Sequence, residues 1–376
     1  MSMIRWWSGG GLALSAVLLL AGCGEQGPKE GEDALAVSQA LGGDDMEGYA
    51  RALAPRDFQF PEDHAAHPAY RNEWWYVTGN LDDPEGRRFG FQMTFFRFAL
   101  SPTPPESEST WATNQGWMAH LAVTDVAGDR HQALERFSRG GAGLAGAELD
   151  PFRVWLDDWE LKAESGNDFP WRLLAAEGDL ALDLRLTPLK DKVFQGDRGL
   201  SQKSPEPGNA SYYFSMTRLK TKGTLRLGEQ DYPVTGLSWM DREWSTSVLG
   251  ENQVGWDWFS LQLDDGHDVM VYELRLEDGG VDPLSKGLWV EPDSRHQVIP
   301  QDAFELEVKQ TWISPQGGTY PVAWHLRLPE QDRDLEIRAV REDQEMDLTV
   351  RYWEGAVDVF EAGQPAGRGF VEMTAY

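Results

Sequence analysis

Cysteine is almost missing from this chain, with one residue, Cys23, in 376. A lone thiol excludes a disulfide framework and any multi-cysteine metal site. Basic residues are scarce as well: 34 Lys and Arg stand against 62 Asp and Glu, a formal net charge of −28 at pH 7. So acidic a chain argues against nucleic acid as a partner, because phosphates need lysine and arginine to neutralise them. No Gly-x-Ser-x-Gly elbow occurs, since Gly199-Leu200-Ser201-Gln202-Lys203 and Gly236-Leu237-Ser238-Trp239-Met240 both lack the second glycine. There is no His-Glu-x-x-His and no P-loop, and the seven histidines are scattered without zinc-ligand spacing. The expectation is therefore a site with no cofactor and no metal. Aromatic residues, by contrast, are plentiful. The 17 Trp, 16 Phe and 10 Tyr supply a packed core and speak against disorder. A chain of 376 residues has room for two domains.

No apolar run is long enough to cross a bilayer, which needs about 20 residues. The longest, Gly11 to Leu20, follows a short segment carrying Arg5 and suits the hydrophobic region of a signal peptide. It ends in Leu20-Ala21-Gly22-Cys23, which resembles a bacterial lipobox and places the only cysteine where cleavage and acylation would occur. That resemblance implies a signal peptide at 1–22, a lipid on Cys23 and a membrane anchor firmer than one acyl chain gives. Gly24, rather than Asp, follows the cysteine, and resemblance to lipoproteins of Gram-negative bacteria then implies the periplasmic face of the outer membrane. Residues 23–55 hold few large apolar side chains and read as a tether.

From Phe58 onward short runs alternate with period two and are broken by Gly, Pro and Asp-Gly, the pattern of antiparallel β-structure. Phe89, Phe91, Met93 and Phe95 share one face, with Gln92, Thr94 and Phe96 on the other; His120 shares a face with Met118 and Ala122. Many short strands over this length suggest two barrels or sandwiches. One hairpin is legible, with Asp264-Asp265-Gly266-His267 as its turn. If Asp264 pairs with His267, Phe259 faces Tyr272, Leu261 faces Met270, and Asp257 faces Leu274. Asp257 is then a carboxylate on an apolar face, where burial would raise its pKa.

Several segments are too unusual for average barrel sequence. They are Phe60-Pro61-Glu62-Asp63-His64, Glu73-Trp74-Trp75-Tyr76-Val77-Thr78-Gly79-Asn80, Thr94-Phe95-Phe96-Arg97, Ser211-Tyr212-Tyr213, Trp239-Met240-Asp241-Arg242-Glu243-Trp244, Gly255-Trp256-Asp257-Trp258-Phe259 and Tyr352-Trp353-Glu354-Gly355. Together they resemble the AttH-type lipocalin-like family, which groups predicted secreted hydrolases with carotenoid 1,2-hydratases. The resemblance runs from about Phe58 to Tyr376. It implies an all-β fold of two lipocalin-like antiparallel barrels packed together, at 56–245 and 246–376, with a break near Glu243 to Gly250. It also implies a pocket for an apolar ligand, in a barrel or between the two.

Acid–base chemistry would suffice for such a relative: a buried carboxylic acid protonates an alkene, aromatic faces stabilise the cation, and water traps it. The candidate acids and bases are Asp257, Asp241, Glu243, His120 and Glu73. The candidate ligand-binding residues are Trp74, Tyr76, Gln92, Phe96, Arg97, Tyr212, Trp239, Trp244, Trp256, Trp258, Tyr272 and Trp353. Each has a structural alternative. Asp241, Arg242 and Glu243 fit an ion pair bracing the domain junction, although on a strand the two carboxylates share a face while Arg242 points away. Asp257 fits a turn or an arginine pair, Arg97 fits an internal pair with Glu73, and His120 fits a hydrogen-bonded core histidine. Two functions remain open: a monomeric, envelope-anchored enzyme hydrating or hydrolysing a lipid- or isoprenoid-like molecule, or a non-catalytic lipid binder or carrier.

Overall fold

A computed structural model of the protein describes residues 46–247 and 249–376. The expected signal peptide at 1–22, Cys23 and the tether up to residue 45 lie outside the described residues. Among the described residues there is no α-helix, only three short 3₁₀ turns. Thirteen strands between Asn72 and Ser245 form one antiparallel sheet, and ten between Gln253 and Thr374 form a second.

The first sheet curls into a nearly closed barrel. Its terminal strand Arg130–Arg139 comes round towards the opposite end, where Arg136 pairs with Asp158 and donates to Glu177 Oε2 (3.0 Å) and the Ala176 carbonyl (3.2 Å). Charged partners thus cover an edge that would otherwise offer unpaired backbone. Inside, Trp75, Val77 and Leu81 meet Phe89, Phe91, Met93 and Phe95, the alternation expected for that strand. The second sheet curls half-way around Phe259, Leu261, Val271, Trp324, Trp353 and Val371. The architecture is the expected all-β pair of lipocalin-like barrels.

The strands that meet at the middle are buried on both faces. In Asn72–Asp82, for example, only Trp74 and Asp82 are partly exposed. The opposite parity of the first sheet (Tyr76, Tyr213, Trp239) packs on Trp258, Met270, Tyr272, Ala356 and Phe370 of the second. Gly90 permits the approach, since a Cβ there would stand 2.7 Å from that of Ala356. Asn80 Nδ2 donates across the gap to the Gly369 carbonyl at 3.1 Å, and Gln262 Nε2 donates back to the Thr217 carbonyl at 2.7 Å.

Two expectations need correction. The hairpin slips by one residue: Asp257 pairs with Glu273, Trp258 with Tyr272, Phe259 with Val271 and Leu261 with Val269. The loop has three residues, Asp264-Asp265-Gly266, not two. Leu263 N–H donates to His267 O (2.8 Å), Gly266 N–H donates to Leu263 O (3.1 Å), and Gly266 takes φ +93°. A three-residue loop ending in a positive-φ glycine is the next hairpin solution after the two-residue turn. Because strand side chains alternate, the slip moves Asp257 off the face of Tyr272 and Leu274. The tether also ends earlier than 55. Ala52 is only 1% exposed, Ala50 N–H donates to Ala69 O (2.8 Å), and Ala54 O accepts from Tyr212 Oη (2.9 Å).

Candidate active site between the two sheets

Strand register brings the polar side chains of this interface into line. On five successive strands of the first sheet, His120, Thr94, Tyr76, Asp241 and Ser215 stand opposite one another, and Met118, Phe96, Trp74, Glu243 and Tyr213 form the next row. Facing them across the second sheet run Glu354, Glu372, Trp258, Tyr272 and Lys286. Between these rows lies a cavity enclosing about 710 Å³ of space not filled by atoms, its mouth included. Trp74, Tyr76, Phe96, Tyr213, Trp256, Trp258, Tyr272 and Leu274 make its apolar walls, and Asp241, Glu243, Glu372, Lys203 and Ser201 are the polar groups. Apolar walls with a few convergent polar groups are the usual form of a small-molecule site.

Asp241 is the most closely held of these groups. Its Oδ1 accepts from Ser215 Oγ (2.5 Å) and Trp239 Nε1 (2.7 Å), and its Oδ2 accepts from Tyr213 Oη (2.5 Å). Burial raises its pKa to about 7 against the lowering effect of these three donors, and the charge of Glu243 adds to the rise. An indole N–H can only donate, so Oδ1 stays an acceptor; when Asp241 takes up a proton, Oδ2 carries it and the Tyr213 hydroxyl turns from donor to acceptor. Trp258 Nε1 donates to that same phenol oxygen at 3.2 Å, tying the acid to the second sheet.

Glu372 enters from the second sheet. Burial pushes it up to about 7, the Trp256 indole (Nε1 to Oε1, 2.7 Å) opposes the rise, and Asp241 and Glu243 add to it. Glu243 is paired with Lys203 Nζ at 2.5 Å, and that ammonium lies 5.5 Å from the ring centroid of Trp74. Lys286 beside it donates to Gln202 O (2.8 Å), and burial lowers its pKa to about 8. The cavity therefore holds two carboxyls able to carry a proton near neutrality and one ion-paired carboxylate.

Among the predicted residues, Asp241, Glu243, Trp74, Tyr76, Phe96, Trp256, Trp258 and Tyr272 line this cavity, and Trp239 braces Asp241 from behind. Others lie elsewhere. Asp257 faces the core of the second barrel, where Arg275 Nε (3.0 Å) and Tyr376 Oη (2.7 Å) hold it; burial nevertheless keeps its pKa raised. Glu73 is buried inside the first barrel between Arg97 and Arg242, whose charges overcome burial and hold it well below the usual carboxylate range. Arg242 also lies 3.9 Å from the Trp75 ring centroid, on the face opposite Asp241 and Glu243. Tyr212 and Trp244 pack in a separate buried cluster, where Trp244 stacks on His67 at 3.8 Å. Trp353 sits in the second barrel's core and donates to Glu342 O (2.8 Å). Gln92 and His120 meet at Tyr352 Oη, at 3.1 and 2.8 Å, and burial lowers His120 to about 3, so its imidazole is neutral.

Sequence reasoning missed Tyr213, Ser201, Lys203, Leu274 and Glu372. Glu372, a carboxylate among Phe370, Val371 and Met373, carried the same signal that singled out Asp257. No cluster of three or more metal-ligand side chains occurs among the described residues. Of two Gly-x-Gly-x-x-Gly spacings, Gly22 to Gly27 lies outside the described residues and Gly141 to Gly146 runs into the strand Ala145–Glu148. The latter lacks the helix N-terminus on which a dinucleotide's pyrophosphate rests.

Comparison with known proteins agrees with this architecture. Residues 51–376 match the AttH-like family model. A putative AttH from Nitrosomonas europaea is 35% identical and superposes with a TM-score of 0.78, over 87% of this chain and 99% of that one. Kievitone hydratase from Nectria haematococca shares the fold at 15% identity, with a TM-score of 0.65 over 88% of this chain and 97% of its own. Dehydratase asqC of Emericella nidulans is 19% identical over 180 residues, which are 46% of this chain and 50% of that protein; the match thus spans about half the length of the curated relative. A family match over nearly all of the described residues, and a 35%-identical structure covered almost end to end, place this chain in the AttH-like family.

Proposed function

We propose that this protein adds water to, or removes it from, an apolar small molecule by acid–base chemistry in the cavity between its barrels. The observation that carries the reading is the convergence of Asp241 and Glu372, one from each sheet, on a single aromatic-walled cavity, both with pKa values raised to about 7. In the hydration direction the proton of Asp241, passed through Tyr213 Oη, forms a C–H bond at one alkene carbon. The positive charge left on the other carbon faces the rings of Trp74, Trp256 and Trp258. Water forms the C–O bond and gives its proton to the ionised partner carboxyl, so alkene and water become an alcohol. Elimination is the same path reversed. The fold shared with a hydratase and the sequence similarity to a dehydratase support the reading.

The reading includes a site of action at the bacterial envelope, with Cys23 acylated after loss of residues 1–22. The only charged side chain among those residues is Arg5, so the mature chain carries −29. Anionic headgroups would repel it, which leaves the covalent lipid to hold it at the membrane. Radiolabelled palmitate should enter the wild-type protein and not a Cys23→Ser variant, which should leave the membrane fraction.

The chemistry is tested by incubating the protein with a panel of isoprenoid alkenes and the matching alcohols in isotopically labelled water and following product mass. Gain or loss of water, slowed about 100-fold or more by Asp241→Asn, is the expected result. Recovery of each compound unchanged, with equal binding by wild type and variant, would instead identify a carrier.

A further inference from the structure

Beside the cavity lies a second group of buried polar side chains that the chemistry above does not use. Glu354 is 1% exposed, and neither of its carboxyl oxygens has a hydrogen-bond partner. Tyr76, Gln92 and Tyr352 are its polar neighbours, and each acts to lower its pKa against the larger effect of burial. Tyr76 Oη, Gln92 Oε1, Thr94 Oγ1 and His120 Nε2 are equally buried and equally unpartnered. A buried polar atom left unsatisfied keeps the cost of its desolvation with nothing to offset it, so a cluster of them at one place signals something held there. Polar, enclosed sites offering several donors and acceptors are where proteins hold ordered water.

Three features of the geometry connect this cluster to the reaction. Tyr76 belongs to both, forming part of the cavity wall while its hydroxyl is one of the orphans. Glu354 stands directly opposite Glu372, another cavity residue, on adjacent strands. The far side leads outward: His120 Nε2 lies 3.8 Å from Glu135 Oε2, and the Glu135 side chain is 19% exposed.

We infer that Tyr76, Gln92, His120 and Glu354 enclose the subsite for the water that the reaction adds or releases, and that Glu354 is a further catalytic residue handling that water's proton. This rests on the hydration–dehydration reading. During hydration the water oxygen bonds to the cationic carbon, its hydrogen moves to the carboxylate of the Glu354–Glu372 pair, and return of one proton from Glu372 to Asp241 restores the starting state. Two carboxyls side by side share one proton more readily than they bear two charges. Burial together with the charge of Glu372 pushes Glu354 well above its ordinary range, in keeping with such sharing.

Two experiments decide the matter. A high-resolution crystal structure of the mature protein should show ordered water within hydrogen-bond distance of Glu354 and of at least one of Tyr76 Oη, Gln92 Oε1 and His120 Nε2. A dry cluster, with these side chains paired directly, overturns the proposal whether or not a substrate is known. Glu354→Gln should bind the fluorescent apolar probe N-phenyl-1-naphthylamine within about 2-fold of wild type, yet turn over any active member of the isoprenoid panel about 100-fold more slowly at similar KM. Gln92→Met, which keeps the glutamate, should lose the water and slow turnover if Glu354→Gln fails to fold. If Asp241→Asn abolishes turnover while Glu354→Gln and Gln92→Met do not, the subsite is wrong and the hydration reading stands. If no member of the panel reacts, the hydration reading fails and the crystal structure alone judges the subsite.

Discussion

Asp241 and Glu73 are both buried carboxyls, yet they depend on pH in opposite senses. Asp241 keeps its proton in the folded chain up to about pH 7, whereas an ordinary aspartate loses it near 3.8. Between those values the native state binds more protons than the unfolded state, so stability falls as pH rises through the window. At 1.36 kcal/mol per unit, Asp241 at full weight accounts for up to about 4 kcal/mol, and Glu372 acts in the same direction. Asp241→Asn, which cannot titrate, should flatten the dependence, so that urea midpoints at pH 5 and pH 8 lie closer together than in wild type. The same proton should set the rate, with turnover declining as pH rises through about 7. Glu73 is charged in the fold and its pKa is lowered, so its contribution is present at neutral pH and lost only in strong acid. Replacing it with Gln leaves Arg97 and Arg242 buried without their counter-charge, and unfolding free energy should drop by about 3–5 kcal/mol.

At the scale of strands, what sequence could reveal was the alternation, and what it could not reveal was which neighbour each face meets. Phe89 to Phe96 divided correctly between faces, and Asp241 and Glu243 fell on one side with Arg242 on the other, because strand periodicity is a local property. Register is not. The Asp-Gly dipeptide suited a two-residue turn, but Arg218 from the first sheet grips the hairpin base, its Nη2 donating to Leu263 O (2.9 Å) and His267 O (3.0 Å), and the loop closes with three residues. One residue of slip exchanged Asp257 for Trp258 at the cavity. Tyr212 and Tyr213 posed a similar choice: both are aromatic, and only pairing with Glu243 shows that Tyr213 faces the site. These positions give two tests. Gly266→Ala should cost about 1 kcal/mol through its positive φ alone, since Pro292, at 3.5 Å, leaves room for the methyl group. Gly90→Val adds bulk where Ala356 already closes the gap, and should cost about 1–3 kcal/mol and weaken binding of the apolar probe.

At the scale of the molecule, the proposed chemistry belongs to neither barrel alone. The first supplies Asp241, Tyr213 and Ser215, but their low-dielectric surroundings include Trp258, Trp256 and Tyr272 of the second. Without that cover water would solvate Asp241, and its pKa would return towards the ordinary carboxylate value. The same cover explains why the meeting strands are buried on both faces: each sheet buries one side in its own core and the other on its partner. Separately produced residues 46–245 and 246–376 should therefore each expose a broad apolar patch and self-associate. Mixed during refolding, they should recover a cavity that binds N-phenyl-1-naphthylamine and raises the unfolding temperature of the complex, because a ligand held only by the assembled state stabilises it by mass action. Probe binding by either half alone would place the cavity inside one barrel and detach the two-carboxyl site from ligand binding.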